Sequence, residues 1–137
     1  MRILSAVFCA ITACSTHHLE GFDRFQEVCA SESTLFELGN TNLMCDAPAG
    51  AGGQLRLQMN LPDPLQIPFQ IEAKDLNLGE WCASSTSDCI AIASGTFAIT
   101  AYEEGIAASG HYDFVLTDGS EVAGELAAQF CDSLEGC

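Results

Sequence analysis

His111, Asp113 and Glu125 are the residues whose types and placement in this chain come closest to a reactive set. A carboxylate beside an imidazole favours the charged ring, so the trio could exchange protons as acid and base or hold a divalent ion. The same trio is also what a solvated sheet face carries, where opposite charges across strands contribute from a few tenths to about 1 kcal/mol. No nucleophile stands beside them, since Ser109 is displaced along the strand, and the chain contains no G-x-S-x-G, H-E-x-x-H or EF-hand spacing. His111, Asp113 and Glu125 are therefore read as a surface patch, and no residue is assigned a catalytic role. Nineteen acidic residues make some carboxylate pair at glycosidase spacing unavoidable, so such a pair means little by itself. Trp81, Tyr102 and Tyr112 could form a platform for a sugar ring, but Tyr112 falls on a core face and Trp81 reads as packing.

The elements that position the patch lie between Gly95 and Cys131. Asp118-Gly119 suits a three-residue hairpin loop, a type I turn followed by glycine in the left-handed region. Leu116 then faces Ser120, Phe114 faces Val122, Tyr112 faces Gly124, Gly110 faces Leu126 and His111 faces Glu125. A two-residue loop would slip the strands by one and turn Glu121 toward the core. The connection at Tyr102-Glu103-Glu104-Gly105 is expected to pair Ala101 with Ile106, Ile99 with Ala108 and Phe97 with Gly110. One apolar face follows, made of Phe97, Ile99, Ala101, Ile106, Tyr112, Phe114, Leu116, Val122, Leu126 and Phe130, with the patch on the other face.

Upstream, Gln54 to Asn60 alternates cleanly, with Leu55, Leu57 and Met59 inward. Leu65 to Ile71 reads as a second strand, kept to an edge or a crossover by Pro62, Pro64 and Pro68. The stretch from Ser15 to Leu43 reads as a tether merging into an irregular first strand, and His17-His18 as a solvated pair. The fold class expected is all-β, a small antiparallel sandwich or barrel with a C-terminal three-stranded meander, stapled by disulfides.

Composition narrows the partners. Four basic residues against nineteen acidic ones, in 137 residues with a net charge of −15, repel phosphate backbones and anionic headgroups. Nucleic-acid binding is excluded on that ground. The acidic surface suits a salty exterior, a cationic partner or weak divalent-ion binding.

Met1-Arg2 precedes the apolar run 3–13, which is shorter than the roughly twenty residues of a bilayer span but fits the core of an export signal. It ends in Ile11-Thr12-Ala13-Cys14, which resembles the lipobox of bacterial lipoproteins: an aliphatic residue, two small ones, then the cysteine. Ile11 stands where leucine is usual. The resemblance implies cleavage before Cys14, a diacylglycerol on its sulfur and acylation of its new amino group. Multiple acyl chains, at about 0.8 kcal/mol per buried CH₂, hold a protein on a membrane far longer than one chain does. The order Gly-Thr, alternating strand, Ser-Gly, aromatic strand, Asp-Gly, alternating strand and terminal aromatic-Cys is likewise similar to small uncharacterised bacterial surface lipoproteins.

Removing Cys9 with the signal and Cys14 with the anchor leaves six of the eight cysteines. An even remainder in an exported chain argues for three disulfides, among fifteen possible pairings. Cys82 with Cys89 is the first expectation, because the polar loop between them is short; Cys29 with Cys45 and Cys131 with Cys137 follow as local choices. No C-x-x-C spacing supports a zinc or dithiol redox site, so no metal and no cofactor is expected.

The resulting expectation is a signal peptide over 1–13, a tether over 14–28 and a single β domain over 29–137. The function expected is that of a non-enzymatic, lipid-anchored protein of the bacterial cell envelope, facing periplasm or exterior. It would be a monomer whose β surface meets a protein or glycan partner. The alternatives are an envelope hydrolase using carboxylates and a calcium-stabilised module.

Overall fold

In the computed structural model, Leu116 donates its N–H to Ser120 O at 2.8 Å and Gly119 donates to Leu116 O at 2.9 Å, the three-residue loop that Asp118-Gly119 calls for. The structure describes residues 16–17, 19, 22–28, 32–40, 53–83 and 88–131. Their strands are β1 (Thr16–His17), β2 (Phe22–Val28), β3 (Ser33–Asn40), β4 (Gln54–Met59), β5 (Phe69–Glu72), β6 (Leu78–Cys82), β7 (Cys89–Glu103), β8 (Ala107–Leu116) and β9 (Glu121–Phe130). A 3₁₀ turn, Ala73–Asp75, joins β5 to β6.

The fold is all-β, and of the two architectures expected it is the barrel. Following the hydrogen bonds, β2, β3, β4, β6, β7, β8 and β9 close into a seven-stranded ring, with β5 added beside β7 and β1 beside β9. An odd ring cannot alternate direction all the way round, so at least one neighbouring pair must be parallel. That pair is β2 with β9, joining Asp23 to Ala128, Arg24 to Gln129 and Phe25 to Phe130. The other six seams are antiparallel.

The C-terminal meander β7–β8–β9 is present, and the β8–β9 register places Phe114 opposite Val122, Tyr112 opposite Gly124 and His111 opposite Glu125. The β7–β8 register differs from the expected one. Phe97 pairs with Tyr112, Ile99 with Gly110 and Tyr102 with Ala108, with register shifts between Ile92 and Ser94 and between Ile99 and Ala101. The second shift adds a residue at Thr100, leaving Ala101 exposed and turning Tyr102 toward the interior. Such a bulge reverses the facing of every residue beyond it. Ile106, expected in the core, is 59% exposed.

Inside the ring, Phe25, Phe36, Leu38, Leu55, Leu57, Met59, Phe97, Ile99, Phe114, Leu116 and Val122 are buried completely or nearly so. Each such side chain contributes about 1.5–3 kcal/mol of transfer free energy. Aromatic rings form the middle of this core: Phe36 lies 5.1 Å from Phe25 and 5.0 Å from Phe97, and Phe130 lies 5.3 Å from Phe25. Leu55, Leu57 and Met59 point inward as their alternation requires.

Two boundaries move. The stretch expected as a tether, 14–28, supplies β1 and all of β2, the strand that closes the ring. The strand expected over Leu65 to Ile71 begins only at Phe69, where β5 pairs with β7 alone among the described strands. Residues 61–68 contain three prolines, which cannot donate to a ladder, and run outside the sheet. Cys82 and Cys89 are disulfide-bonded as expected and face each other across β6 and β7. Cys131 is also in a disulfide, and its partner lies outside the described residues. Cys14, Cys29, Cys45 and Cys137, and with them the lipidation site and the other two pairings, lie outside the described residues as well.

Candidate functional site: the barrel mouth

Because β9 runs parallel to β2, Ser120 just before β9 and Val28 at the end of β2 lie at opposite ends of the barrel. At the Val28 end, the end of β2, Glu32 with the start of β3, the proline-rich segment after β4 and the end of β7 line a cavity of about 650 Å³. Its charged lining is Glu27, Glu32, Asp63 and Glu104, all exposed. Between them lie Val28, Leu61 and Leu65, half-buried, with Pro62 and Pro64. Tyr102 enters the wall because of the Thr100 bulge, and its ring sits 6.1 Å from that of Phe25, so it links mouth and core. Glu32 holds a left-handed φ of 53° in the β2–β3 turn, a conformation that costs a residue with a side chain about 1 kcal/mol.

The electrostatics of the mouth have one sign. Burial raises the Tyr102 phenol above its ordinary pKa, and the charges of Glu104, Glu27 and Asp63 push it further the same way. The basic side chains described are engaged elsewhere. Arg24, Glu37, Arg56 and Glu80 stand directly opposite one another on β2, β3, β4 and β6, a row of alternating charge across four strands. Arg24 Nε donates to Glu37 Oε1 at 2.8 Å, and Arg56 Nη1 donates to Glu80 Oε2 at 2.9 Å. Gln54 Nε2 donates to the other Glu37 oxygen at 3.1 Å. Lys74 is 3.6 Å from Glu72 on the exposed 3₁₀ turn.

The opposite end holds a contact between residue types that often do chemistry. The His17 ring stacks on Trp81 with centroids 3.7 Å apart, and its Nε2 is 3.1 Å from Ser120 Oγ. The Ser120 hydroxyl donates to Asp118 Oδ1, which also accepts the Ser120 N–H at 2.9 Å. With the hydroxyl proton committed to Asp118, the imidazole N–H is the donor to Ser120. Those bonds from Ser120 hold the Asp118 carboxyl below its usual range, helped by the nearness of His17. In a hydrolytic triad the carboxylate orients the imidazole and the hydroxyl is open to substrate. Here the carboxylate binds the hydroxyl and Ser120 is fully buried, so the contact fastens β1 to the β8–β9 hairpin. His17 is thus packed, not freely solvated as expected, and His18 lies outside the described residues.

Asp23, a half-buried carboxylate at the start of β2, is tied into the wall by backbone donors. Its two oxygens accept the N–H groups of Gly39 at 3.1 Å and Ala127 at 3.0 Å, bridging β3 and β9 at the bulge of β2. Burial raises its pKa, and the two hydrogen bonds oppose the rise. The phenol of Tyr112 is pushed up to about 12, by burial first and by the charge of Asp23 second.

The patch expected from sequence is assembled as expected but lies away from the mouth. His111, Asp113 and Glu125 are exposed on the outer face of β8 and β9, His111 directly opposite Glu125, and no hydrogen bond or ion pair joins those two. Trp81, Tyr102 and Tyr112 do not converge, since Trp81 is under His17, Tyr112 is inside and Tyr102 is at the mouth. The mouth itself escapes a reading of the sequence because its lining comes from four separated segments. The available signal is local: one carboxylate between two prolines and flanked by leucines over 61–65, and Glu103-Glu104 beside Tyr102.

Glu80, Cys82 and Cys89 are the one group of three metal-ligand types found close together among the described residues. Its two sulfurs are bonded to each other, which removes the thiolates a metal would need. Comparison with protein families, curated proteins and solved structures finds no match to this chain.

Proposed function

We propose that the protein is an exported, lipid-anchored envelope module that binds its ligand without transforming it, and that it does so at the mouth of the barrel. The single observation that carries the binding reading is the cavity of about 650 Å³ between Tyr102, the proline-rich segment and the facing ends of β2 and β3. Small-molecule sites are concave and place a few polar groups among apolar ones to fix orientation; this cavity is concave and sets prolines and leucines among its carboxylates, with the polar groups in the majority. A closed barrel leaves few free backbone edges, so its ends carry the irregular segments in which binding residues concentrate.

Anchoring rests on Ile11-Thr12-Ala13-Cys14 after the apolar run. Export is supported by the disulfide between Cys82 and Cys89 and by the oxidised state of Cys131, since structural disulfides persist in oxidising compartments. A binding reading is favoured over a hydrolytic one because the serine that meets a histidine, Ser120, is buried.

Two measurements test the proposal. Intact mass of the protein purified from its host should show a chain beginning at Cys14 with acyl chains attached, and Cys14→Ser should release it from the membrane. A full-length chain recovered from the cytosol with its thiols reduced overturns export and anchoring. A fragment screen by NMR, containing cationic, neutral and anionic members, should shift the resonances of Tyr102, Leu65 and Glu104 ahead of those of the outer face. Shifts confined to His111, Asp113 and Glu125 overturn the mouth as the site.

A further inference from the structure

We infer that the mouth cavity is a site for a small organic amine, one or more alkylammonium groups carried on a short hydrocarbon chain; this rests on the binding reading above and names its ligand class. The cavity is the first observation, and its lining alternates two chemistries. Carboxylates stand at Glu27, Glu32, Asp63 and Glu104, while prolines and leucines fill the space between them. A cation with a carbon skeleton meets both, its ammonium groups at the rim and its methylenes on the apolar wall.

The second observation is where the chain's own cations are. Arg24 and Arg56 are held in the row with Glu37 and Glu80, and Lys74 sits beside Glu72, so no described basic residue lines the mouth. The negative field there is left for a solute to neutralise. A cleft with low-dielectric walls concentrates such a field and raises the local concentration of ions of opposite sign.

The third observation separates an organic cation from a metal. Calcium takes six to eight oxygens at about 2.3–2.6 Å, which requires the donors to converge. Among the described residues no three mouth carboxylates bring their oxygens within 4.8 Å of one another. Charges spread round a rim suit a cation whose own charge is extended or divided. Tyr102 completes the set, because an ammonium within about 6 Å of an aromatic face is attracted by the ring quadrupole. Its ring is at the mouth only because the Thr100 bulge turned it inward.

The test is calorimetric titration of the mature full-length protein with 1,5-diaminopentane and with spermidine. 1,5-Pentanediol serves as the uncharged counterpart and calcium chloride as the metal control. Saturable binding of the amines is expected, with none of the diol, and the affinity should fall as ionic strength rises. Glu104→Gln and Asp63→Asn should each weaken binding by about two- to fivefold, the range of an exposed ion pair. Both positions are exposed, so the melting temperature should not move. A blocked lysine amide as a further probe separates a free amine from a peptide side chain: binding weaker than that of the diamine favours the small molecule, and binding stronger than it overturns that source.

Equal binding of diol and diamine, displacement of the amine by calcium at matched ionic strength, or affinity indifferent to both carboxylate variants overturns the inference. If neutral or anionic fragments occupy the mouth and amines do not, the ligand class fails while the binding reading stands. If nothing of any charge shifts the mouth resonances, both fail.

Discussion

Arg24 on β2 and Glu37 on β3 face each other directly, Nε to Oε1 at 2.8 Å, with side chains only 11% and 8% exposed. Breaking a buried pair strands a charge without its partner, whereas replacing both members by apolar side chains is often neutral. Glu37→Gln should therefore lower unfolding free energy by about 3 kcal/mol in urea denaturation. Arg56 would add to the loss, because its Nε lies 3.9 Å from the same carboxylate and has no hydrogen bond of its own. The double change Arg24→Met with Glu37→Leu should recover most of the stability. A double variant no better than the single one would show that the row contributes more than charge compensation.

Two glycines allow a contrast. A Cβ on Gly110 would lie 1.8 Å from Ala98 O, inside the wall where β7 and β8 approach at the bulge. Gly110→Ala should prevent folding or cost more than about 3 kcal/mol, at the upper end of overpacking effects. Gly119 has φ 88°, and a methyl group there would meet nothing within 4 Å, so Gly119→Ala should cost only the left-handed backbone penalty of about 1 kcal/mol. Melting temperatures of the two variants decide the point.

Removing the Cys82–Cys89 staple by changing both residues to alanine should reduce stability by about 2.5 kcal/mol in the chain-entropy picture of a loop this short. The barrel should persist, because β6 remains paired with β4 over five residues. Far-ultraviolet circular dichroism at low denaturant tests persistence, and the denaturation midpoint tests the magnitude.

The pH profile follows from three acids whose pKa values are raised in the folded state, Asp23, Tyr102 and Tyr112. A raised acid binds its proton more tightly when folded, so stability falls as pH rises from the unfolded pKa through the folded one. For Tyr112 that window runs from the ordinary 10.0 to about 12, and the loss across it is of order 2 kcal/mol. Phenolate absorbance should show Tyr112 titrating only as the barrel opens, and Tyr112→Phe should flatten this alkaline limb. Asp23 acts in the same sense in acid, above its ordinary 3.8, so Asp23→Asn should steepen the acid limb by removing that compensation. Asp118, with its pKa lowered, works the other way: its contribution is present above the ordinary value and lost as pH falls through the folded one.

Legibility in the sequence follows locality. The β8–β9 register is readable because one turn, Asp118-Gly119, sets it and nothing interrupts the alternation that follows. The β7–β8 register is not, because bulges at both ends of the pairing break the period-two pattern on which any reading depends. β2 reads as tether with short helical spacing because Phe22 and Phe25 are three apart, and the register shift between Phe22 and Arg24 interrupts the period-two pattern by which a strand is read. The outer patch at His111, Asp113 and Glu125 is legible as a face. The mouth is not, since Glu27, Asp63 and Tyr102 are neighbours only once the ring exists.

That ring is sewn shut by its first long strand meeting its last. The partners Phe25 and Phe130 are 105 positions apart in the chain, and a contact so distant in sequence is slow to form. Until β9 is in place, the aromatic interior has an open side and Phe25 lacks its neighbour Phe130 across it. Completion thus waits for β9: a chain stopped before Ala128, Gln129 and Phe130 would be an unzipped sheet and not a smaller barrel.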